Sequence, residues 1–255
     1  MKSSFMTMRP LRSAGLSLLG MLSLMPPSLA QLQPATSEPN PIFFNAPPLP
    51  PGQGAPSGRR DGGASRGNCP DHGDLAGLVP ITDGRVWGQT TTANPTLWFY
   101  LPAAVTPAMP MELVVQDAAD NFLYATTLTV DVAAGNLAIA LPESVTLPIN
   151  EPHYWTLALF CDPERPEASV FVRGTIERVT AARLEPLTAS TERSLAQAQI
   201  YADGGMWYDA LTILGELRQA DATDADSQAA WATLLEQIGL PVAAEAPVQP
   251  CCEPE

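Results

Sequence analysis

His153-Tyr-Trp155-Thr-Leu157-Ala-Leu159-Phe-Cys161 is the stretch on which the reading of this 255-residue chain turns. Trp155, Leu157, Leu159 and Cys161 fall on alternate positions, the period of two that buries one face of a β-strand. A second run follows, in which Val170, Val172, Gly174 and Ile176 alternate with Phe171, Arg173, Thr175 and Glu177. Toward the N-terminus, Leu97-Trp-Phe-Tyr100 and residues 111–116, 122–130 and 137–141 are further short runs rich in β-branched and aromatic residues. Asp117-Ala-Ala-Asp120-Asn121, between two of them, has the composition of a hairpin connection. Six or seven such strands in about 110 residues, with no helical pattern among them, predict an antiparallel immunoglobulin-like β-sandwich over residues 69–180.

After Val179 the apolar period lengthens to that of a helix. Thr188 or Ser190 can cap a first helix carrying Glu192 in its first turn, and Asp203-Gly204-Gly205 stops it. A second helix sets Trp207, Ala210, Leu211, Leu214 and Leu217 on one stripe, opposite Asp209, Thr212, Glu216 and Gln219. A third carries Trp231, Leu234, Leu235 and Ile238 and ends at Gly239 and Pro241. Ala198, Tyr201, Gly204 or Gly205, Tyr208 and Asp209-Ala210 stand roughly where a tetratricopeptide hairpin places small and aromatic residues, with no second copy of the unit. Trp207 and Trp231 are more apolar surface than three short helices can hide, so residues 181–240 should dock on the sandwich. The tail, 241–255, with Cys251 and Cys252, is expected to be disordered.

The N-terminal 30 residues read as a signal peptide. Lys2, Arg9 and Arg12 precede an apolar run over 14–24 that is too short for a membrane span and is broken by Pro26-Pro27. Ser28-Leu29-Ala30 then predicts cleavage between Ala30 and Gln31. Residues 31–68 are rich in Pro and then Gly, the composition of an extended, disordered linker, with Ile42-Phe43-Phe44 as its apolar cluster. Removing the leader leaves ten Arg and no Lys against 27 acids, a mature charge of −17. That balance argues against nucleic-acid binding and against docking on anionic lipid. The expected setting is periplasmic or extracellular, with no transmembrane segment after processing.

Gly58 to Gly67 with Cys69, Asn94-Pro-Thr-Leu-Trp-Phe-Tyr100, Leu113-Val-Val-Gln-Asp117, His153-Tyr-Trp155 through Cys161-Asp-Pro163, and Ile200 to Leu211 together resemble the cyanobacterial family known as domain of unknown function 928. Gly63-Ala-Ser-Arg-Gly67 stands where Gly-Gly-Thr-Arg-Gly is expected of that family, a small departure. The resemblance implies a family and no chemistry.

Read for chemistry, the motifs are thin. Gly63-Ala-Ser65-Arg-Gly67 has the letters of a nucleophile elbow without the strand before it or the helix after it. Cys69-Pro-Asp71-His72 with Asp74 offers ligand types at close spacing, and a zinc site would need Cys161, Asp162 or His153 to complete it. In an oxidising compartment a Cys69–Cys161 disulfide is the simpler expectation. His153 reads as a structural residue at the start of its strand. Asp221, Asp224 and Asp226 lack the Gly and Glu of a calcium loop and read as a helix-start cluster. Gly52-Gln-Gly54 lacks the setting of a nucleotide loop, so no cofactor is expected. Arg59, Arg60 and Arg66 form the sole basic cluster, read as linker charge or as a contact to an acidic surface. The chain is therefore expected to be a non-catalytic protein-interaction module of the envelope with an unknown protein partner. The alternative is a hydrolase or metal-binding enzyme using the Cys69-His72-Asp74 segment.

Overall fold

The alternating run beginning at His153 becomes β9 (Pro152–Phe160), and the next becomes β10 (Ser169–Arg178), paired antiparallel with Phe171 opposite Ala158 and Gly174 opposite Trp155. The computed structural model describes residues 41–62, 69–165, 167–180 and 193–250. The leader, the cleavage site at Ala30–Gln31, the Gly63–Gly67 motif with Arg66, the Thr188, Ser190 and Glu192 helix start, and Cys251-Cys252 lie outside those residues.

The remaining strands are β1 (Ala55–Pro56), β2 (Ala76–Gly77), β3 (Ile81–Thr82), β4 (Arg85–Thr90), β5 (Thr96–Leu101), β6 (Met111–Gln116), β7 (Phe122–Leu128), β8 (Gly135–Ala140) and β11 (Val248–Gln249). They form a seven-stranded sheet, ordered β1-β4-β10-β9-β6-β7 with β3 also on β4, that curls as a half-barrel. A four-stranded sheet has the order β11-β8-β5-β2. The helices are α1 (Leu195–Asp203), α2 (Trp207–Ala220), α3 (Ala225–Gln237) and α4 (Pro241–Glu245). The chain is thus mainly β with C-terminal helices, as its periodicity predicts.

The immunoglobulin-like sandwich is not confirmed, and the pairing is not wholly antiparallel. β4 pairs with β10, and β11 with β8, in parallel. The smaller sheet is covered on both faces: Phe99 meets Trp155 of the larger sheet edge-on at 5.3 Å, whereas Trp98, one residue back, meets Trp231 of α3 at 5.4 Å. A strand buried on both faces needs no polar alternation, which accounts for the unbroken Leu97-Trp-Phe-Tyr100 run. Gly215 of α2 lies against the Trp98 ring, so close that a Cβ there would come within 2.2 Å of it.

The helices begin and end for local reasons. The Ser194 hydroxyl accepts from the Gln197 N–H and caps α1, in place of Thr188 or Ser190, and Asp224 caps α3 through the Ser227 N–H. The Asp221–Asp226 cluster is therefore a helix start. Gly205 and Gly239 take positive φ values of 80° and 78° just past α1 and α3. Asp117 closes the β6–β7 hairpin by accepting from the N–H groups of Ala119 and Asn121 and from the Asn121 amide. Asn121 thereby holds the exposed Asp117 carboxyl below the usual carboxylate range.

The described parts of two segments expected to be disordered, residues 41–62 and 241–250, are built into the fold. Within the supposed linker, Ile42, Phe44 and Ala55 are buried, and Phe44 exchanges backbone hydrogen bonds with the Gln237 amide of α3. Arg60, read as linker charge, is 7% exposed and donates to the Ile238 carbonyl at the C-terminus of α3, where a cation opposes the helix dipole. Within the supposed tail, α4 and β11 are ordered, and the buried Asn136 amide donates to the Ala243 and Ala246 carbonyls. Proline-rich composition marks a weak propensity to fold alone; here the ordering is supplied by partners far away in sequence.

Trp207 joins helices to sheets: its indole N–H donates to the Leu78 carbonyl at 2.8 Å, and its ring meets Phe44 edge-on at 5.0 Å. Trp207→Ala is expected to lower the stability of the whole protein by about 3–5 kcal/mol. Denaturant titration followed by far-ultraviolet circular dichroism checks this. Strands that unfold at the wild-type midpoint while the helices are lost would show the two parts to be separate.

Candidate functional site

Cys69 and Cys161 are joined in a disulfide with Cα atoms 5.8 Å apart, tying the end of β9 to the turn at Pro70–His72. Cys69 thus has no thiolate to offer a metal. His72 is buried while Asp71 and Asp74 are exposed, and among the described residues no three His, Cys, Asp or Glu side chains converge as a metal site would require.

His153 is 1% exposed beside Trp155, on the core-facing side of β9. Burial pushes its imidazole pKa below the ordinary 6.5, against the opposing pull of Glu151 and Asp117. Burial does the same to His72, against Asp71. Both rings fold neutral, whereas the unfolded chain binds their protons from about pH 6.5 downward. Their contribution to stability is therefore full above pH 6.5 and is lost as pH falls toward the lowered folded values. Asp209, whose pKa is raised by burial, acts in the opposite sense, its contribution growing as pH falls. The isolating measurement is the melting temperature from pH 8 to pH 5 for wild type and His153→Phe. The wild type should lose more on acidification, and parallel curves would contradict the assignment.

Asp209 is the main surprise of the helical region. The stripe pattern puts it on the solvent face of α2, yet it is buried. One carboxylate oxygen accepts from the Thr91 N–H at 2.9 Å; the other accepts from the Thr91 and Thr92 hydroxyls at 2.9 and 2.8 Å. The carboxylate pins the β4–β5 turn to the first turn of α2. Beside it lies a polar cavity of about 200 Å³, walled by Tyr201, Thr212 and the Arg193–Glu216 ion pair. With its oxygens engaged by three donors, Asp209 works as a structural tie.

The outer face of the larger sheet is different. A groove of about 460 Å³ opens there, between the 52–56 segment and the outward side chains of β4, β9 and β10. It holds Arg85, Tyr154, Phe171 and Arg173. The Arg173 guanidinium lies over the Tyr154 ring at 4.9 Å, and the Arg85 guanidinium donates to the Gly54 carbonyl at 3.3 Å. Gly54 has φ +87°, and a Cβ there would fall 2.6 Å from the Arg85 Cβ, so this close approach of loop to sheet requires glycine.

The same sheet ends in β7. Residues 121–130, Asn-Phe-Leu-Tyr-Ala-Thr-Thr-Leu-Thr-Val, contain no charge, proline or glycine. Among the described residues β7 pairs with β6 alone, and Phe122 is 70% exposed. The other edge strands, β1, β3, β2 and β11, are two residues long.

Residues 61–248, well over half of the chain, match the family model described as Domain of Unknown Function (DUF928). No curated protein matches the chain.

Proposed function

The chain belongs to the domain of unknown function 928 family, and on that footing we propose that it is an exported, non-catalytic module of the cell envelope that binds a partner protein by strand addition at β7. The leader pattern and the cyanobacterial setting implied by the resemblance support the compartment, and the Cys69–Cys161 disulfide is compatible with it. No helix among the described residues is long and apolar enough to cross a membrane.

The β7 edge carries the interaction reading. Sheet proteins commonly blunt their edges with short strands, charges or proline. Among the described residues four edge strands are short and the fifth, β7, is long and neutral, in a chain of formal charge −14. A partner's extended segment would gain main-chain hydrogen bonds along seven residues, with Phe122 as an apolar anchor. The enzyme alternative on Cys69-His72-Asp74 loses its sulfur ligand to the disulfide.

The test is capture of a partner from envelope extract, followed by hydrogen exchange on the purified complex. Outward-facing amides of Phe122–Leu128 should slow at least about tenfold on binding. Ala125→Lys with Thr127→Lys, at exposed positions on that edge, should abolish capture without lowering the melting temperature. Protection elsewhere with β7 unchanged would refute strand addition, and no specific capture by the wild type would refute the interaction role.

A further inference from the structure

We propose that the groove on the outer face of the larger sheet is a binding site for a small organic monocarboxylate with an apolar or aromatic body. This does not rest on the β7 reading, since β7 lies at the far end of the strand order from the β1–β4 side that forms the groove.

Charge is the first observation. Outside the leader the chain has ten Arg, no Lys and 27 acids, yet two of those Arg, Arg85 and Arg173, line one groove that no carboxylate lines. The second is the state of Arg173. Its Nε is buried without a hydrogen-bond partner, and no carboxylate among the described residues pairs with it. A buried charged donor left unpaired is costly, so an acceptor delivered to it is favoured. The Arg173 guanidinium lies over the Tyr154 ring at 4.9 Å, a contact of cation with ring face that uses up none of its N–H donors. A planar fork of N–H donors matches a carboxylate through two parallel hydrogen bonds.

The walls decide the rest of the ligand. Tyr154, Phe171 and Pro56 present ring and apolar surface beside the two cations. The volume, about 460 Å³, lies in the range of small-molecule sites. A single negative charge suits the site better than a phosphate dianion, because the net charge of the protein repels each added negative charge. Gly54 brings the 52–56 segment down onto Arg85 and so forms one rim of the groove before any ligand arrives.

The experiment titrates the full oxidised chain by isothermal calorimetry with acetate through octanoate, benzoate and 3-phenylpropionate. The amide of each acid and inorganic phosphate serve as comparisons. At least one apolar acid should bind with a Kd below about 1 mM, and its amide at least about tenfold more weakly. Arg173→Gln should weaken the acid at least about tenfold while the melting temperature holds. Should that variant fail to fold, the exposed Arg85→Gln is expected to weaken the acid by several-fold in its place. The proposal is overturned if acid and amide bind equally, if folded arginine variants bind like wild type, or if phosphate displaces the acid as well as another acid does. It is likewise overturned if no member of the panel binds below about 10 mM.

Discussion

Trp155→Ala is expected to remove about 5 kcal/mol or more of stability, enough to unfold a protein of ordinary stability at room temperature. The ring is fully buried and fills a slot between two glycines. A Cβ on Gly77 would come within 2.5 Å of it, and one on Gly174, its cross-strand neighbour, within 2.2 Å. Alanine would leave that slot as a cavity between the sheets and take away the edge-on contact with Phe99. It would also take from the buried Tyr208 oxygen its donor, the Trp155 indole N–H at 2.8 Å, leaving Tyr208 only the bond that it donates to the Thr175 carbonyl. Full burial pushes the Tyr208 phenol far above its ordinary pKa, so it works as a neutral relay between α2 and the larger sheet. Trp155→Phe separates the two effects, keeping most of the volume and losing the hydrogen bond, and should cost about 1–3 kcal/mol. Equilibrium denaturation of both variants decides it; a fully folded Trp155→Ala with a wild-type midpoint would show the slot to be unimportant.

Removing the disulfide should cost nearly as much. Cys69 and Cys161 are 92 residues apart in sequence, and closing a loop of that length is worth roughly 4–5 kcal/mol in chain entropy, an upper figure. The Cys69→Ala, Cys161→Ala double variant should show this as a lowered denaturation midpoint, as should the reduced wild type. The loss should appear chiefly as a less restricted unfolded state, since the turn at Pro70–His72 packs on the core through His72 and Leu75. A non-reducing peptide map gives the complementary check. Recovery of Cys69 and Cys161 as separately alkylated peptides, without reductant, would overturn the assignment.

What the sequence made legible follows from what is local in this fold. The faces of β9 and β10 and the stripes of α2 and α3 are set by neighbours two, three or four residues away, and periodicity reads them. The β6–β7 hairpin was legible for the same reason, because Asp117 and Asn121 close it among themselves. The parallel pairing of β4 with β10 was not, since it joins residues some 90 positions apart and no turn sequence announces it. Asp209 escaped for a related reason: its acceptors are satisfied by Thr91 and Thr92, so a position that looks solvated on a helix wheel is paired inside the protein. The groove is assembled from a glycine loop and three strands. Arg173 and Tyr154 could each be marked as outward-facing by alternation, and hairpin pairing of their strands brings them near each other. Nothing in composition says that the Pro-rich segment around Gly54 folds back over them.

The clasps formed by Phe44 and Asn136 also bear on the order in which the described elements can close. Phe44 closes on Gln237, 193 residues later, and Asn136 closes on the carbonyl of Ala243, 107 residues later. β8 cannot gain its parallel neighbour until Val248 and Gln249 have left the ribosome. A topology whose loops are so wide nucleates slowly, because loop-closure entropy must be met before the distant contacts return anything. The contacts of Phe44 and Asn136 with the C-terminal elements can therefore form only after those elements have been made, whereas the β6–β7 hairpin, which Asp117 and Asn121 close among themselves, waits for nothing downstream.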